Sequence, residues 1–264
     1  MEPYVALMRR YCIDYTCAHN ASICDEIMSS SYEITISGRT MGMSDYRQAV
    51  AAAFRRYPTL MLTVHDMITS GDRLAMHFSE HGAAAAAPDQ VAVWSGISLY
   101  RWDGRQLLSC RVEQDFLGRD EQSQSLRTAP LEPGHPDPWS TTRDTPANTR
   151  AEQAVQAWLD LATRDWQQAV TRPGVRLLES GANLPAPLIN HEVTVDDLFS
   201  AGNRVAAAVT FRGEYTGGLP GLDDAHGRTG ELPATLLAQV DGDELVELKL
   251  VRDRWGLIRR LRKA

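Results

Sequence analysis

The alternation of hydrophobic and polar positions divides the first half of the sequence into helices followed by strands. Val5, Met8, Cys12 and Tyr15 recur at helical spacing and predict a first helix over residues 4–19. The same patterns predict a short helix over residues 22–28, a longer helix over 45–57, and strands over 32–37, 59–69, 73–81, 90–102 and 106–116. Helices followed by a meander of long antiparallel strands indicate an α+β fold.

The pattern of the first half occurs a second time further along the chain. Residues 62–75, LTVHDMITSGDRLA, align without gaps on residues 193–206, VTVDDLFSAGNRVA. The Asp-Gly turn at 102–104 aligns on the Asp-Gly turn at 240–242, with an offset of 138 residues instead of 131. Such self-similarity predicts two tandem copies of one domain, which we call copy one and copy two.

A polar, proline-rich stretch separates the two copies. Residues 121–150 contain five of the 13 prolines and almost no hydrophobic periodicity, which is typical of a linker. The predicted organisation is therefore copy one over residues 1–120, the linker over 121–150 and copy two over 151–264. A linker of this length could also strap one domain across the other.

Composition and charge narrow the range of partners. A formal net charge of -7 argues against a nucleic-acid partner, and no apolar run approaches the roughly 18 residues that a membrane span needs. The N-terminus does not have the pattern of a secretory signal, and the four cysteines show no C-x-x-C spacing. We therefore expect a cytoplasmic protein with reduced thiols and no contact with membranes or nucleic acids.

The order of motifs in copy two carries a resemblance to a known family. GEYTGGLPG, HGRTG, VDGDELVELKLVRD and WGLIRRL follow one another between residues 213 and 261. This order resembles the C-terminal half of SnoaL-like polyketide cyclases, in the nuclear transport factor 2-like (ketosteroid isomerase-like) superfamily. Tyr215 stands where the family usually has His, and Glu244 replaces the usual Lys.

That resemblance implies a specific architecture. Each copy is expected to be a cone-shaped domain, in which a curved antiparallel sheet wraps on helices and encloses an apolar pocket. The two tandem domains are expected to pack as an intrachain pseudo-dimer through the outer faces of their sheets. The chain would then be a monomer with this pseudo-dimer, or would assemble into a homodimer.

Two aspartates are the first candidates for catalysis. Asp115 and Asp253 occupy matching positions after the last strand of each copy, where SnoaL-like cyclases place an acid/base aspartate. A carboxylate in an apolar pocket has a raised pKa and can transfer protons near neutral pH. The alternative is a structural carboxylate paired with a nearby arginine such as Arg111 or Arg252.

Two histidines form the next candidate group. His77 and His81 share one face of the strand at 73–81, with Ser79 between them, so they predict either a polar pocket wall or a polar inter-domain surface. Rings four residues apart on a strand are about 13 Å apart, too far for one metal ion, so no metal site is predicted. Copy two has Ala208 and Arg212 at these positions, which confines any histidine chemistry to copy one.

Aromatic residues complete the predicted site. The run Leu7-Met-Arg-Arg-Tyr11 resembles the start of bacterial ketosteroid isomerases, where a tyrosine donates to a developing oxyanion. The base aspartate and second oxyanion acid of those enzymes fall near residues 34–35 and Ser98, which cannot take these roles, so a tyrosine at the edge of the core is the favoured interpretation. Further side chains are expected either to pack the core or to contact a flat apolar ligand: Tyr15, Phe54, Met61 and Trp94.

These residues favour a cofactor-free acid/base enzyme that acts on a hydrophobic carbonyl compound through an enol or enolate. A polyketide-type cyclase, isomerase or dehydratase of secondary metabolism would fit, with copy one active and copy two degenerate. The alternative is a non-catalytic small-molecule-binding or scaffold protein of the same fold. An epoxide hydrolase or epoxide-opening cyclase is disfavoured, because Val112 and Leu250 stand where the last-strand aspartate of that triad belongs.

Overall fold

A computed structural model describes residues 1–133, 136–179 and 187–263. Copy one contains a six-stranded sheet in the order β2-β1-β6-β5-β4-β3, with β1 parallel to β6 and the other pairs antiparallel. Its strands are β1 (Met28–Ile36), β2 (Arg39–Gly42), β3 (Met61–Ser70), β4 (Arg73–Ala84), β5 (Ala87–Trp102) and β6 (Leu107–Gln114).

Copy two builds a five-stranded sheet on the same plan. Its order is β7-β11-β10-β9-β8, and β7 is parallel to β11 as β1 is to β6. The strands are β7 (Val175–Leu177), β8 (Leu188–Ala201), β9 (Arg204–Tyr215), β10 (Thr229–Asp241) and β11 (Glu244–Arg252). Even the irregularities correspond, because β3 has its bulge between Val64 and Asp66 and β8 has one between Val195 and Asp197. The prediction of two tandem α+β domains is confirmed.

Helices pack against one face of each sheet. In copy one, α1 (Pro3–Arg9) continues directly as a π-helical segment, Arg10–Cys17. The remaining helices are α2 (Cys24–Ile27), α3 (Met43–Arg56), α4 (Phe116–Ser125), α5 (Pro138–Thr141), α6 (Thr149–Arg164), α7 (Trp166–Val170) and α8 (Arg254–Leu261). No helix in these described ranges is long and apolar enough to cross a membrane.

The outer faces of the two sheets pack against each other. Ala75, Ile97 and Leu99 of copy one form one buried cluster with Leu237 and Val251 of copy two. A hydroxyl also crosses the interface, where Thr235 Oγ1 donates to the backbone oxygen of Ile97 at 3.0 Å. The predicted intrachain pseudo-dimer is therefore confirmed.

Two ion pairs related by the repeat flank this apolar centre. Arg73 of copy one binds Asp197 of copy two at 2.5 Å, and Arg204 of copy two binds Asp66 of copy one. Arg73 aligns on Arg204 and Asp66 aligns on Asp197, so each pair is the image of the other. Reciprocal contacts of this kind are what two-fold symmetry produces at a dimer interface.

The stretch between the copies runs along both of them. Gly71 N donates to Asp144 Oδ1 at 2.7 Å in copy one, and Asn148 N donates to Ser200 Oγ at 2.7 Å in copy two. The predicted end of copy one at residue 120 falls within α4. The domain boundaries themselves stay a prediction.

Candidate functional site

Copy one encloses an apolar cavity of about 200 Å³ between its sheet and its helices. Strands β4, β5 and β6 form the floor, while the π-helical segment and α3 form the roof. Its wall is mainly aromatic and aliphatic, with polar groups contributed by Tyr11, Tyr15, Thr16, Tyr46, Glu80, Tyr100 and Gln114. An apolar space with a few inward polar groups is the usual form of a small-molecule site.

Strand register shows which polar groups share one end of the cavity. Glu80 on β4 lies opposite Leu62 on β3 and opposite Trp94 on β5. Gln114, at the end of β6, pairs with Gly96 only two residues along β5 from Trp94. Glu80 and Gln114 therefore lie at the same end of the sheet. We call this end the mouth.

Glu80 is the acidic side chain that lines this cavity. Alternation along β4 places it on the same face as Leu74, Met76 and Phe78, so it faces the apolar interior. Burial raises the pKa of Glu80 to about 7, against the opposing effects of the Arg119 charge and the Trp94 indole. A carboxyl group in this range is present in both protonation states at neutral pH, as a general acid or base requires.

A pair of tyrosines lies on the helical side of the cavity. The hydroxyl groups of Tyr11 and Tyr46 are 3.2 Å apart, and both side chains are buried. Burial raises the pKa of each well above the ordinary value, so both phenols stay neutral and able to donate hydrogen bonds. Tyr11 lies in the π-helical segment, a form of helix that is frequent at functional sites.

The structure divides the other predicted ligand-binding residues. Tyr15 and Phe54 line the cavity, and their rings are 6.3 Å apart in an edge-to-face arrangement. Trp94 does not line the cavity. Its Nε1 donates to Gln114 Oε1 at 2.7 Å and so holds the Gln114 amide in place. Met61 is 44% exposed at the start of β3 and does not line the cavity.

Asp115 lies outside the cavity, on the side of the other domain. Strand β6 ends at Gln114, and Asp115 is the N-cap of α4, where Oδ1 accepts from Gly118 N at 3.1 Å. The same oxygen accepts from Arg254 Nη2 of copy two at 2.6 Å, and both side chains are buried. Asp115 thus has a structural partner, although that partner is Arg254 rather than the neighbouring Arg111.

Asp253 repeats this arrangement in copy two. It is the N-cap of α8, where its carboxylate accepts from Gly256 N at 2.8 Å and pairs with Arg260 at 3.0 Å. The buried carboxyl of Glu113, from copy one, lies close enough to interact with it. Burial and the charge of Asp253 together raise the pKa of Glu113 well above its ordinary value. Both predicted aspartates therefore belong to the contact between the domains.

The predicted histidines lie outside the cavity, and His77 is on the face of β4 that packs against copy two. His77 is fully buried, and its ring centroid lies 4.9 Å from that of His65, which in turn bonds to Ser79 Oγ at 2.8 Å. Burial, followed by the charge of His65, lowers the pKa of His77 to about 2. His81 is partly exposed and reaches Thr63 Oγ1 at 3.4 Å, and burial lowers its pKa as well. Neither histidine lines the copy-one cavity, and the charges of Lys249 and Arg176 from copy two act on His77.

Copy two has replaced the groups that make the copy-one cavity polar. Phe211 stands at the position of Glu80 and packs edge-to-face against Trp166, with 5.7 Å between ring centroids. Arg252 stands at the position of Gln114; it binds Glu179 through two 2.8 Å hydrogen bonds and lies over the Trp166 ring. The described interior of copy two is therefore filled with aromatic rings and a closed ion pair.

Within 1–133, 136–179 and 187–263, no three His, Cys, Asp or Glu side chains are arranged to hold a metal ion. All four cysteines are free thiols, and Cys12, Cys24 and Cys110 are buried.

No protein-family model and no curated protein matches the sequence. Solved structures similar to this chain cover about half of it. A candidate polyketide cyclase from Acidithiobacillus ferrooxidans is 15% identical over 47% of this chain and 96% of its own, with a TM-score of 0.44. A candidate SnoaL-like polyketide cyclase from Jannaschia sp. CCS1 is 18% identical over 49% and 94%, with a TM-score of 0.41. AclR, a candidate hydroxylase from Streptomyces galilaeus, is 13% identical over 48% and 83%, with a TM-score of 0.42.

The chain carries two α+β domains built on one plan. In each domain, one parallel strand lies beside an antiparallel meander that packs on helices. Because the sequence identities to these solved structures are low, their reactions and substrates are not assigned to this chain.

The candidate residues predicted from the sequence did not include Glu80, although its position in the β4 pattern indicates a buried acid. An acidic residue that alternates in phase with Leu74, Met76 and Phe78 lies on the apolar face of a strand. Such a residue is buried among hydrophobic side chains, which shifts its pKa and makes it a candidate for function.

Proposed function

We propose that this protein is a cofactor-free acid/base enzyme whose site is the copy-one cavity. The observation that carries the proposal is Glu80, a carboxyl group with a pKa of about 7 at the mouth of an apolar cavity. The substrate class is a hydrophobic carbonyl compound small enough for this cavity. The reaction class is proton transfer at the carbon next to the carbonyl, through an enol or enolate.

Each polar group of the cavity has a role in this scheme. The Glu80 carboxylate removes a proton from the carbon next to the carbonyl and returns it to the same or another atom. Within the Tyr11–Tyr46 pair one hydroxyl donates to the other, and the second donates a hydrogen bond to the oxygen on which negative charge develops. Cyclisation, isomerisation and dehydration all begin with this step, so the site is compatible with each of them.

Copy two takes a structural role in this proposal. Phe211 at the position of Glu80 cannot transfer a proton, and the Arg252–Glu179 ion pair occupies the position of Gln114. The acid/base role first predicted for Asp115 passes to Glu80, because Asp115 is engaged with Arg254.

A non-catalytic binding protein is the second candidate, and one observation favours it. Both aspartates at the family's acid/base position cap a helix and form ion pairs in the contact between the domains. A protein that had kept the cavity and lost its chemistry would look the same at these two positions. The two candidates therefore differ in whether Glu80 transfers protons.

The test is the exchange of carbon-bound hydrogen in a hydrophobic ketone, β-tetralone, for deuterium from D₂O, followed by NMR. We expect the wild-type chain to accelerate this exchange and Glu80→Gln to reduce the acceleration by roughly 100-fold or more. Asp115→Asn is the matched control and should retain the wild-type rate, corrected for the folded fraction. Loss of exchange in Asp115→Asn but not in Glu80→Gln would return the role to Asp115. Binding of the ketone without any acceleration would establish the binding protein instead.

A further inference from the structure

A basic crevice lies beside the cavity, between the β1–β2 hairpin of copy one and α8 of copy two. Its volume is about 350 Å³. Arg39 enters it from the hairpin, while Arg259 and Lys263 enter it from α8 and the residues that follow. All three side chains are exposed, and the chain as a whole is acidic. This concentration of positive charge is therefore a local feature.

The three cations of this crevice have no acidic partners in the part of the chain that the structure describes. The crevice is also partly aromatic, because Phe116 and Trp255 line it with their ring centroids 6.4 Å apart. The guanidinium carbon of Arg259 lies 4.6 Å from the centroid of the Trp255 ring, so the cation packs over this ring. Cations beside aromatic rings suit an organic anion better than a bare inorganic one.

Copy two fixes the hairpin that forms one side of this crevice. Ser37 and Gly38 have positive φ angles of 52° and 69°, the conformation of a two-residue hairpin turn that matches strand twist. Arg260 of α8 donates from Nη1 to the Ser37 oxygen at 3.0 Å and pairs through Nη2 with Asp253. Arg260 is thus occupied as a brace, which leaves Arg39, Arg259 and Lys263 for a ligand.

The crevice and the cavity share two side chains, Ile36 and Met41. Ile36 pairs with Val112 on β6, two residues before Gln114, so the shared wall lies at the mouth. A ligand whose apolar part occupied the cavity would therefore project its remaining groups past Ile36 and Met41 towards the three cations.

We propose that the ligand of the copy-one cavity carries an anionic group, a carboxylate or phosphate-like substituent, which binds in this crevice. Copy two then completes the site of copy one, because α8 and the residues that follow it provide two of the three cations and the Trp255 ring. This inference rests on the proposed use of the cavity as the ligand site, and it narrows the substrate class to hydrophobic acids.

The test compares two fluorescent dyes that differ in one anionic group. Anilinonaphthalene sulfonate carries a sulfonate, and N-phenylnaphthylamine has the same aromatic rings without it. Titration of the full chain gives a dissociation constant for each dye. We expect Arg39→Gln/Lys263→Gln to weaken binding of the sulfonate dye roughly tenfold and to leave the neutral dye unchanged. Added salt should weaken the sulfonate dye in the same selective way.

Two further variants separate the possible outcomes. Arg105→Gln/Arg172→Gln removes two exposed cations elsewhere and should change neither dye. Ala49→Phe places a ring in the cavity and should weaken both. If Arg39→Gln/Lys263→Gln leaves the sulfonate dye unchanged while Ala49→Phe weakens both dyes, the crevice inference is wrong and the cavity proposal stands. If neither dye binds, or if Ala49→Phe has no effect on either, the cavity is not the ligand site and both proposals fail.

Discussion

Glu80 and Phe211 occupy the same register position in the two sheets of this chain. Glu80 lies opposite Leu62, and Phe211 lies opposite Val193, which aligns on Leu62 in the sequence repeat. One copy therefore presents a carboxyl group to a cavity where the other packs a ring against Trp166. The two copies share a fold, and this is one of the interior positions at which they differ.

The raised pKa of Glu80 predicts how folding stability depends on pH. Because its folded-state pKa, about 7, exceeds that of the unfolded chain, the folded state binds more protons between about pH 4.5 and 7. The contribution of Glu80 to stability therefore falls as pH rises through this window. We expect Glu80→Gln to unfold at a higher temperature than wild type at pH 8, with the difference disappearing near pH 4, in calorimetry across that range. An equal difference at both pH values would contradict the raised pKa.

The ion pair between Asp115 and Arg254 predicts that the Asp115→Asn variant is less stable than the wild type. Asp115→Asn keeps an oxygen for the α4 cap and removes the charge that faces Arg254. Breaking a buried ion pair from one side should cost roughly 3–5 kcal/mol in the free energy of unfolding. Denaturant titration measures this cost, and Asp115→Asn/Arg254→Met should lose less than the sum of the two single variants. Full stability in Asp115→Asn would show that the pair contributes nothing to the contact between the domains.

The buried His77 side chain predicts that the folded protein loses stability as the pH falls. Its folded-state pKa, about 2, lies below that of an unfolded histidine, so the unfolded chain binds more protons between about pH 2 and 6.5. This difference removes stability as pH falls through that range. We expect His77→Leu to resist acid unfolding better than wild type, with the advantage growing from pH 6.5 to pH 4. His81→Leu, at a partly exposed histidine, is the control and should show a smaller change in the same direction.

The buried contact between the sheets predicts that copy one is not independent. A fragment of residues 1–127 would expose Ala75, Ile97 and Leu99, which the full chain buries against copy two. Exposed apolar surface of this kind drives association. We expect the fragment to dimerise or aggregate in size-exclusion chromatography with light scattering, whereas Ile97→Lys in the same fragment should reduce that association. A monomeric fragment at high concentration would argue that the interface is dispensable.

The sequence by itself determined the repeat and the α+β class. These features follow from periodicity and turn chemistry, which are local, and from the alignment of 62–75 on 193–206. It also placed Tyr11, Tyr15 and Phe54 near a ligand cavity, and it placed Glu80 on the apolar face of its strand. Those residues belong to long periodic elements, in which the direction of each side chain is fixed by its neighbours.

Only the tertiary structure decided which acid faces the cavity. Asp115 directly follows the last residue of β6, where the strand gives way to a helix and alternation no longer sets the direction of the side chain. Its direction is set by the Gly118 amide and by Arg254, which arrives from the other domain. His77 likewise faces the interface because copy two covers that side of the sheet. Contacts between distant parts of the chain depend on how the copies dock, and no local pattern encodes that arrangement.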